Sequence, residues 1–196
     1  MAISHLRITP LSRAHGVNAL QAAARYAAAV LVDHRTGERY DFSNDAGVVH
    51  QEILTSRSCG LVVWDRQSLW TAAEQAEVRK DARVAREYQI ALPHELSGTE
   101  RIELARRWGR FIVERHGNGV DLTVRLPPVG GDPRNHYAIA MATTRELSAT
   151  GLGAKACIEF PYGDQSGPKE YGFLQRQWKQ FLHEALLTTL SQQQVG

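Results

Sequence analysis

Cysteine is almost missing from this sequence: 196 residues contain only Cys59 and Cys157. They stand far apart and in no metal-ligand spacing, which excludes a disulfide framework and a cysteine-based zinc site. They read as two small apolar side chains in a reducing compartment. Long apolar runs are missing as well. No stretch approaches the roughly 20 residues that a membrane-spanning helix needs. The longest, Ala22 to Val32, is alanine-rich and broken by Arg25. The opening MAISHLRITP lacks the apolar run of a signal peptide, so the expectation is a cytoplasmic protein with no membrane partner. Strong net charge is the third absence. The formal charge is only +2, so bulk charge announces no nucleic-acid partner and local distribution has to carry that argument.

What is present suits one globular domain. Apolar residues make up 43% and charged residues 22%, and a chain of this length buries enough surface to fold without a staple. Arginine greatly outnumbers lysine, and its planar fork is the better match to phosphate oxygens. Two basic clusters, Arg79-Lys80-Arg83-Arg86 and Arg101-Arg106-Arg107-Arg110-Arg115, read as solvated helix faces because Glu and Asp are interspersed with them.

The hydrophobic pattern predicts a short strand over 5–9, ended by Pro10, then a helix from 19 to about 31 capped by Asn18. A Thr-Gly turn at 36–37 lets residues 39–42 pair back as a hairpin. Residues 48–54 suit a strand or a short helix. Apolar spacing predicts a long helix over 67–87 and a strand over 88–92 stopped by Pro93. Ser97-Gly98-Thr99-Glu100 is a capping-box pattern that opens a helix to about 114. Alternation predicts a half-buried strand over 121–126, and 137–142 a buried one. A turn at 150–153, a breaker-rich loop over 163–168 and a closing helix from about 169 to 190 complete the chain. The order implies an α+β domain, helices packed on an antiparallel sheet, over residues 1–190, with 191–196 a flexible tail.

Several blocks carry a further signal. MAISHLRITPLSRAHGVNALQAAA, DHRTGERYDFS with GVVHQEIL, LWTAAEQAEVRKDARVAREYQIALPHELS, RNHYAIAMATTRELSATGLGAK and FLQRQWKQFLHEAL occur in that order and cover nearly the whole chain. In them the sequence resembles the MobA/MobL relaxase family, which includes the N-terminal domains of TraA-type conjugation proteins. The resemblance implies a histidine-hydrophobic-histidine (HUH) relaxase fold on a central antiparallel sheet. It also implies plasmid DNA as partner, single-stranded or as transfer-origin duplex, together with other relaxosome proteins. The chemistry it implies is attack by a tyrosine on a phosphodiester, leaving a 5′-phosphotyrosine and a free 3′-hydroxyl. A divalent metal held by three histidines polarises the phosphate.

The residues that carry this chemistry in the family are altered here. The family's signature strand reads Arg-Asn-His-His-Ala-His; here it is Arg134-Asn135-His136-Tyr137-Ala138-Ile139. The paired histidines therefore fall on Tyr137 and Ile139, alternate positions that share one face of a strand. The third, in an Asp-x-Ala-Ile-His-x-Pro setting, falls on Arg125, a fixed cation with no lone pair to offer. The family's helix Ala-Ala-Ala-Tyr-Arg-Ala-Gly is here Ala22-Ala23-Ala24-Arg25-Tyr26-Ala27-Ala28. Arg25 thus takes the nucleophile's place and Tyr26 lies one step, about 100°, around the helix.

Three functions follow as expectations. The first is a DNA-binding pseudoenzyme, a phosphate clamp of Arg25 and Arg125 with Arg134 and Arg145 nearby, needing no metal. The second is an atypical active relaxase with Tyr26 or Tyr137 as nucleophile, His136 beside the phosphate, and Mg²⁺ or Mn²⁺ as cofactor. The third is a protein-interaction module. Plainer roles stand beside these: Tyr26 and Tyr137 as packed aromatics and His136 bonded to a loop carbonyl; Asp121 and Glu52 read either as carboxylates that support the site from behind or as a strand-end and a helix-face acid. His5, His50 and His94 are scattered. Asp121, Asp132 and His136 show no metal-ligand spacing.

Overall fold

The structure is a computed structural model; residues 5–159 and 167–193 are described, the side chains of the last two excepted. In chain order the described residues form β1 (Leu6–Ser12), α1 (Ala19–Tyr26), β2 (Val30–Asp33), β3 (Glu38–Asp41), β4 (Val48–Leu54), α2 (Arg66–Ala76), β5 (Arg83–Leu92), α3 (Gly98–His116), β6 (Asn118–Arg125), β7 (His136–Ser148), β8 (Gly151–Lys155) and α4 (Gly167–Gln193). The main sheet is antiparallel in the order β1-β5-β7-β6-β4, and β8 pairs with the far end of β7. β2 and β3 form a separate hairpin, as the Thr-Gly turn implied.

Two helical layers cover the sheet. α3 and α4 seal one face with an aromatic seam in which Trp108 and Trp178 meet edge to face at 5.3 Å between centroids. α1 and α2 seal the other with Leu20, Ala23, Ala24, Leu69 and Trp70. The buried alanines of α1, Ala19, Ala23 and Ala24, add little side-chain bulk to this layer. That thin layer leaves a cleft beside its C-terminal end.

Local chemistry explains most element ends. Asn18 accepts from the amides of Leu20 and Gln21 and starts α1. Ser97 and Glu100 form the expected capping box, and Gly117, at φ 67°, ends α3 in the left-handed region that glycine enters freely.

Several expectations are corrected. Pro10 does not end the first strand, because β1 lies on the border of the sheet and pairs only with β5, so a missing N–H costs no ladder bond there. The helix at 19–31 stops at Tyr26, since Ala28 turns the chain at φ 50° and β2 begins at Val30. The long helix over 67–87 is instead α2, a turn, and half of β5. Arg13 decides the break by donating to the carbonyls of Glu74, Glu77 and Arg79, at 2.6, 2.7 and 3.1 Å, beyond which α2 cannot continue. The apolar periodicity through Val78 is misleading; that side chain is exposed.

Arg86 is therefore no solvated helix cation. It is buried on β5 and paired with Glu159 at 2.6 Å, which with the Tyr171 hydroxyl keeps the guanidinium charged against the cost of burial. β6 is buried on both faces rather than one, because it sits between β7 and β4 under helices on both sides. The turn expected at 150–153 is short and leads into β8 at Gly151. Of the loop expected at 163–168, residues 163–166 lie outside the described residues, and Gly167 and Pro168 open α4. α4 runs on to Gln193, so residues 191–193 of the expected tail are helical and 194–196 lie outside the described residues. β4 carries a register shift between Val48 and His50 on the opposite border.

Candidate functional site

Strand register places the altered positions side by side. Arg125 on β6 faces Tyr137 on β7, and Ile139, two residues on, lies between Thr123 and Gln89. Side chains alternate along a strand, so Arg125, Tyr137, Ile139, Gln89 and Glu87 share one face of the sheet. On that face opens a cleft of about 1240 Å³. Its floor is the end of β1, β5, β6 and β7. Its wall is Arg25 and Tyr26 at the end of α1 with residues 45–47, and its rim is the loop joining β6 to β7.

Arg125 is the keystone of the wall. One guanidinium nitrogen donates to the carbonyls of Arg25 and Tyr26 at 3.1 and 2.8 Å, at the C-terminal end of α1 where carbonyls lack a full set of helical partners. The other donates to Asp45 Oδ2 at 2.8 Å and to the Ala46 carbonyl at 3.1 Å. Arg125 thus ties the helix end, the loop and the sheet together at one point.

Tyr26 enters the cleft from α1, and its hydroxyl donates to the Glu87 carboxylate. Burial, then Glu87, drive the Tyr26 phenol well above the usual tyrosine range, with Arg25 and Arg7 opposing. Glu87 is itself buried, with Arg7 at 3.6 Å. The sequence reading missed Glu87 by assigning it to a helix. The signal was there, since Tyr88, Ile90 and Leu92 pack under α3 and α4 while Glu87 and Gln89 take the other face.

Arg25 occupies the cleft side of α1 with its guanidinium 5.1 Å from the centre of the Phe42 ring. Arg134 lies on the rim, bonded to Asp132, whose carboxyl it holds down at about 2. His136 begins β7 at the cleft's end; burial first, then the charges of Arg101 and His94, lower its pKa. Tyr26, Tyr137, His136, Arg25, Arg125 and Arg134 therefore meet in one cleft. Arg145 does not. It lies farther along β7, bonded to Glu77 at 2.8 Å and to the Gly153 carbonyl at 2.9 Å. The other early candidates serve the fold: Asp121 takes Arg66 at 2.7 Å and the Trp70 indole at 3.0 Å, and Glu52 takes Arg106 at 2.7 Å.

A profile of the MobA/MobL family matches residues 18–193. The chain belongs to the MobA/MobL family. Over 127 residues it is 36% identical to the mobilization protein MobL of Acidithiobacillus ferridurans, covering 65% of this chain and 33% of that protein. Over 168 residues it is 31% identical to the conjugal transfer protein TraA of Agrobacterium fabrum (strain C58 / ATCC 33970), covering 79% of this chain and 14% of TraA. The chain thus spans a third or less of the length of these two relatives. Among solved structures, it superposes with a TM-score of 0.80 and 25% identity on one described as the molecular basis of vancomycin resistance transfer in Staphylococcus aureus, over 94% of this chain and 92% of that one. It also superposes on the conjugative relaxase TrwC in a metal-bound complex with oriT DNA, with a TM-score of 0.59 and 12% identity, over 94% and 70%. The fold is that of the relaxases.

A metal implied by that fold does not suit the residues of this MobA/MobL domain. The three adjacent positions hold a guanidinium, a phenol and a hydrocarbon, and the guanidinium brings a positive charge and only N–H donors. Among the described residues no group of three or more His, Cys, Asp and Glu side chains is placed to hold a metal ion.

Proposed function

We propose that this protein binds plasmid transfer-origin DNA, as single strand or duplex, during mobilisation in the bacterial cytoplasm, without metal-dependent nicking. The observation that carries this reading is Arg125, a fixed cation anchored where the family's resemblance expects a metal ligand, at the base of a cleft that also presents Arg7, Arg25 and Arg134. A guanidinium pairs with phosphate oxygens in a two-pronged geometry and supplies charge with no metal. Arg25, stacked on Phe42, puts a second cation and an aromatic face along the same wall, a pairing suited to a phosphate and its neighbouring base. Family membership and the oriT-bound TrwC neighbour support DNA as the ligand. Other relaxosome proteins are the proposed company.

One observation favours a second reading. The Tyr26 hydroxyl already donates to a buried carboxylate, so Glu87 could accept that proton as the phenol oxygen attacks a phosphodiester. The new bond would join Tyr26 to phosphorus, the bond to the 3′-oxygen would break, and that oxygen would take up a proton, from protonated Glu87 or from water, to leave as a 3′-hydroxyl. Arg125 and Arg25 would steady the phosphoryl charge, and Mg²⁺ or Mn²⁺ would be the cofactor tried. Tyr137 and His136 line the same cleft as further candidates.

Incubation with supercoiled plasmid carrying a transfer origin, with and without Mg²⁺ or Mn²⁺, followed by protease and SDS, separates the two. The first reading expects binding that weakens steeply with salt and no nick under any condition. A nicked plasmid with protein on its 5′ end would replace it with the second, and Tyr26→Phe should then abolish the covalent product.

A further inference from the structure

We propose that Asp45 is a built-in substitute for a phosphate: its carboxylate holds the cleft-facing corner of the Arg125 guanidinium until a nucleic-acid phosphate displaces it. This rests on the reading of the cleft as a phosphodiester site. It adds that the site is held shut by its own chain.

The two sides of Arg125 are not equivalent. Three of its acceptors are neutral backbone carbonyls, those of Arg25, Tyr26 and Ala46, which position the guanidinium but do not neutralise it. Asp45 is the anion on it, at 2.8 Å. The Arg125 side chain is 9% exposed and that of Asp45 43%, so the pair presents the acid to the cleft and keeps the base behind it. A carboxylate and a phosphate offer a guanidinium the same geometry, two oxygens carrying negative charge. Exchange would leave Arg125 where it is.

The loop that carries Asp45 is pinned independently of the carboxylate. The Asp45 amide donates to the Phe42 carbonyl at 2.9 Å, and the Gly47 carbonyl accepts from the Leu126 amide at 2.8 Å. The carboxylate can therefore leave by rotation about its own side-chain bonds. Glu87 has no such freedom, since it is buried and held by Tyr26.

Charge balance in the cleft points the same way. Four arginines line it, Arg7, Arg25, Arg125 and Arg134, against four carboxylates, Asp45, Glu87, Glu95 and Asp132. A cleft with this balance has little field to gather DNA non-specifically. It gains a free cation when a phosphate arrives at the one position where Asp45 can yield. Asp45 thereby weakens binding in general and favours ligands that place a phosphate at Arg125.

Two probes test this: a labelled single-stranded oligothymidylate and inorganic pyrophosphate. Each is titrated against the wild-type protein, Asp45→Asn, Asp45→Ser and Asp81→Asn, an exposed acid that pairs with Arg79 outside the cleft lining. Both Asp45 variants keep a side chain that can hydrogen-bond, and their thermal unfolding is recorded alongside. The expected result is about tenfold tighter binding of both probes by the Asp45 variants. For the oligonucleotide, the slope of log K against log salt steepens by about 0.7, the increment for one more phosphate neutralised. Asp81→Asn should match the wild type. If the oligonucleotide binds but neither probe binds the Asp45 variants more tightly, the gate is wrong and the DNA reading survives. If only pyrophosphate binds and tightens, the gate survives and the DNA reading is wrong. Binding of neither probe by any variant overturns both.

Discussion

Ala28 is the described non-glycine residue with positive φ, at 50°, and it stands where the family's helix motif places glycine. A Cβ in the left-handed region costs about 1–2 kcal/mol, partly offset by the extra freedom glycine has in the unfolded chain. Ala28→Gly should therefore stabilise the domain by about 0.5–1 kcal/mol, read as a rise of about 1–4 °C in the midpoint of thermal unfolding. The residue scale is also where the sequence was most and least legible. Arg125, Tyr137 and Ile139 could be singled out because a motif fixes their register, and the sheet does place them together. Asp45 could not be, and for Glu87 the alternation along β5 carries only its face of the sheet, not its partner. Each matters through a partner distant in sequence, Arg125 and Tyr26, and no local pattern encodes such a pairing.

At the scale of elements, errors gathered where a side chain from elsewhere ended a helix. Composition allows α2 to continue through Ala82, but the Arg13 guanidinium takes its last carbonyls. The end of α1 is held by Arg125 in the same way, so Arg125→Ala should fray it. The expected loss is about 2 kcal/mol in denaturant unfolding, with faster amide exchange at Ala27 and Ala29, whose N–H groups bond to Ala23 and Ala24. Where ends are encoded locally, as in the capping box at Ser97, the reading held.

The joint between α3 and α4 has its own pH dependence. Glu170 is buried, bonded to Arg115 and, at 3.0 Å, to His116. Burial raises its carboxyl, but these partners prevail and hold it at about 2. Because the folded value lies below the unfolded one, its contribution is complete above about pH 4.5 and fades as pH falls toward 2. Glu170→Gln should cost about 3 kcal/mol at pH 7 and flatten the acid limb of a stability-versus-pH curve. A variant with an unchanged acid limb would show that other carboxylates govern it.

The whole molecule is a sheet with two unlike coverings: an aromatic, tightly sealed side under α3 and α4, and a thin, alanine-rich side where the cleft opens. The α+β class and the sheet's antiparallel character were readable from the order of elements, whereas β6 buried on both faces was not, because its alternation of polar and apolar residues hides a polar core of Asp121, Thr123 and Arg125. On the proposed reading Arg125 takes the place of an ion in the cleft, and its own bonds to Arg25, Tyr26 and Asp45 join helix, loop and sheet, so the fold should not depend on a metal. EDTA should leave the thermal midpoint unchanged, and Mg²⁺ or Mn²⁺ should add no more than weak salt effects; a midpoint rising with ion concentration would reveal a bound metal by mass action.

Pro10 on β1 and the register shift on β4 lie on opposite borders of the sheet. One border lacks a donor and the other is locally out of step, so neither offers an incoming chain a continuous ladder. Edge-to-edge aggregation is thereby opposed by the two outermost strands themselves, one of which also carries Arg7 into the cleft.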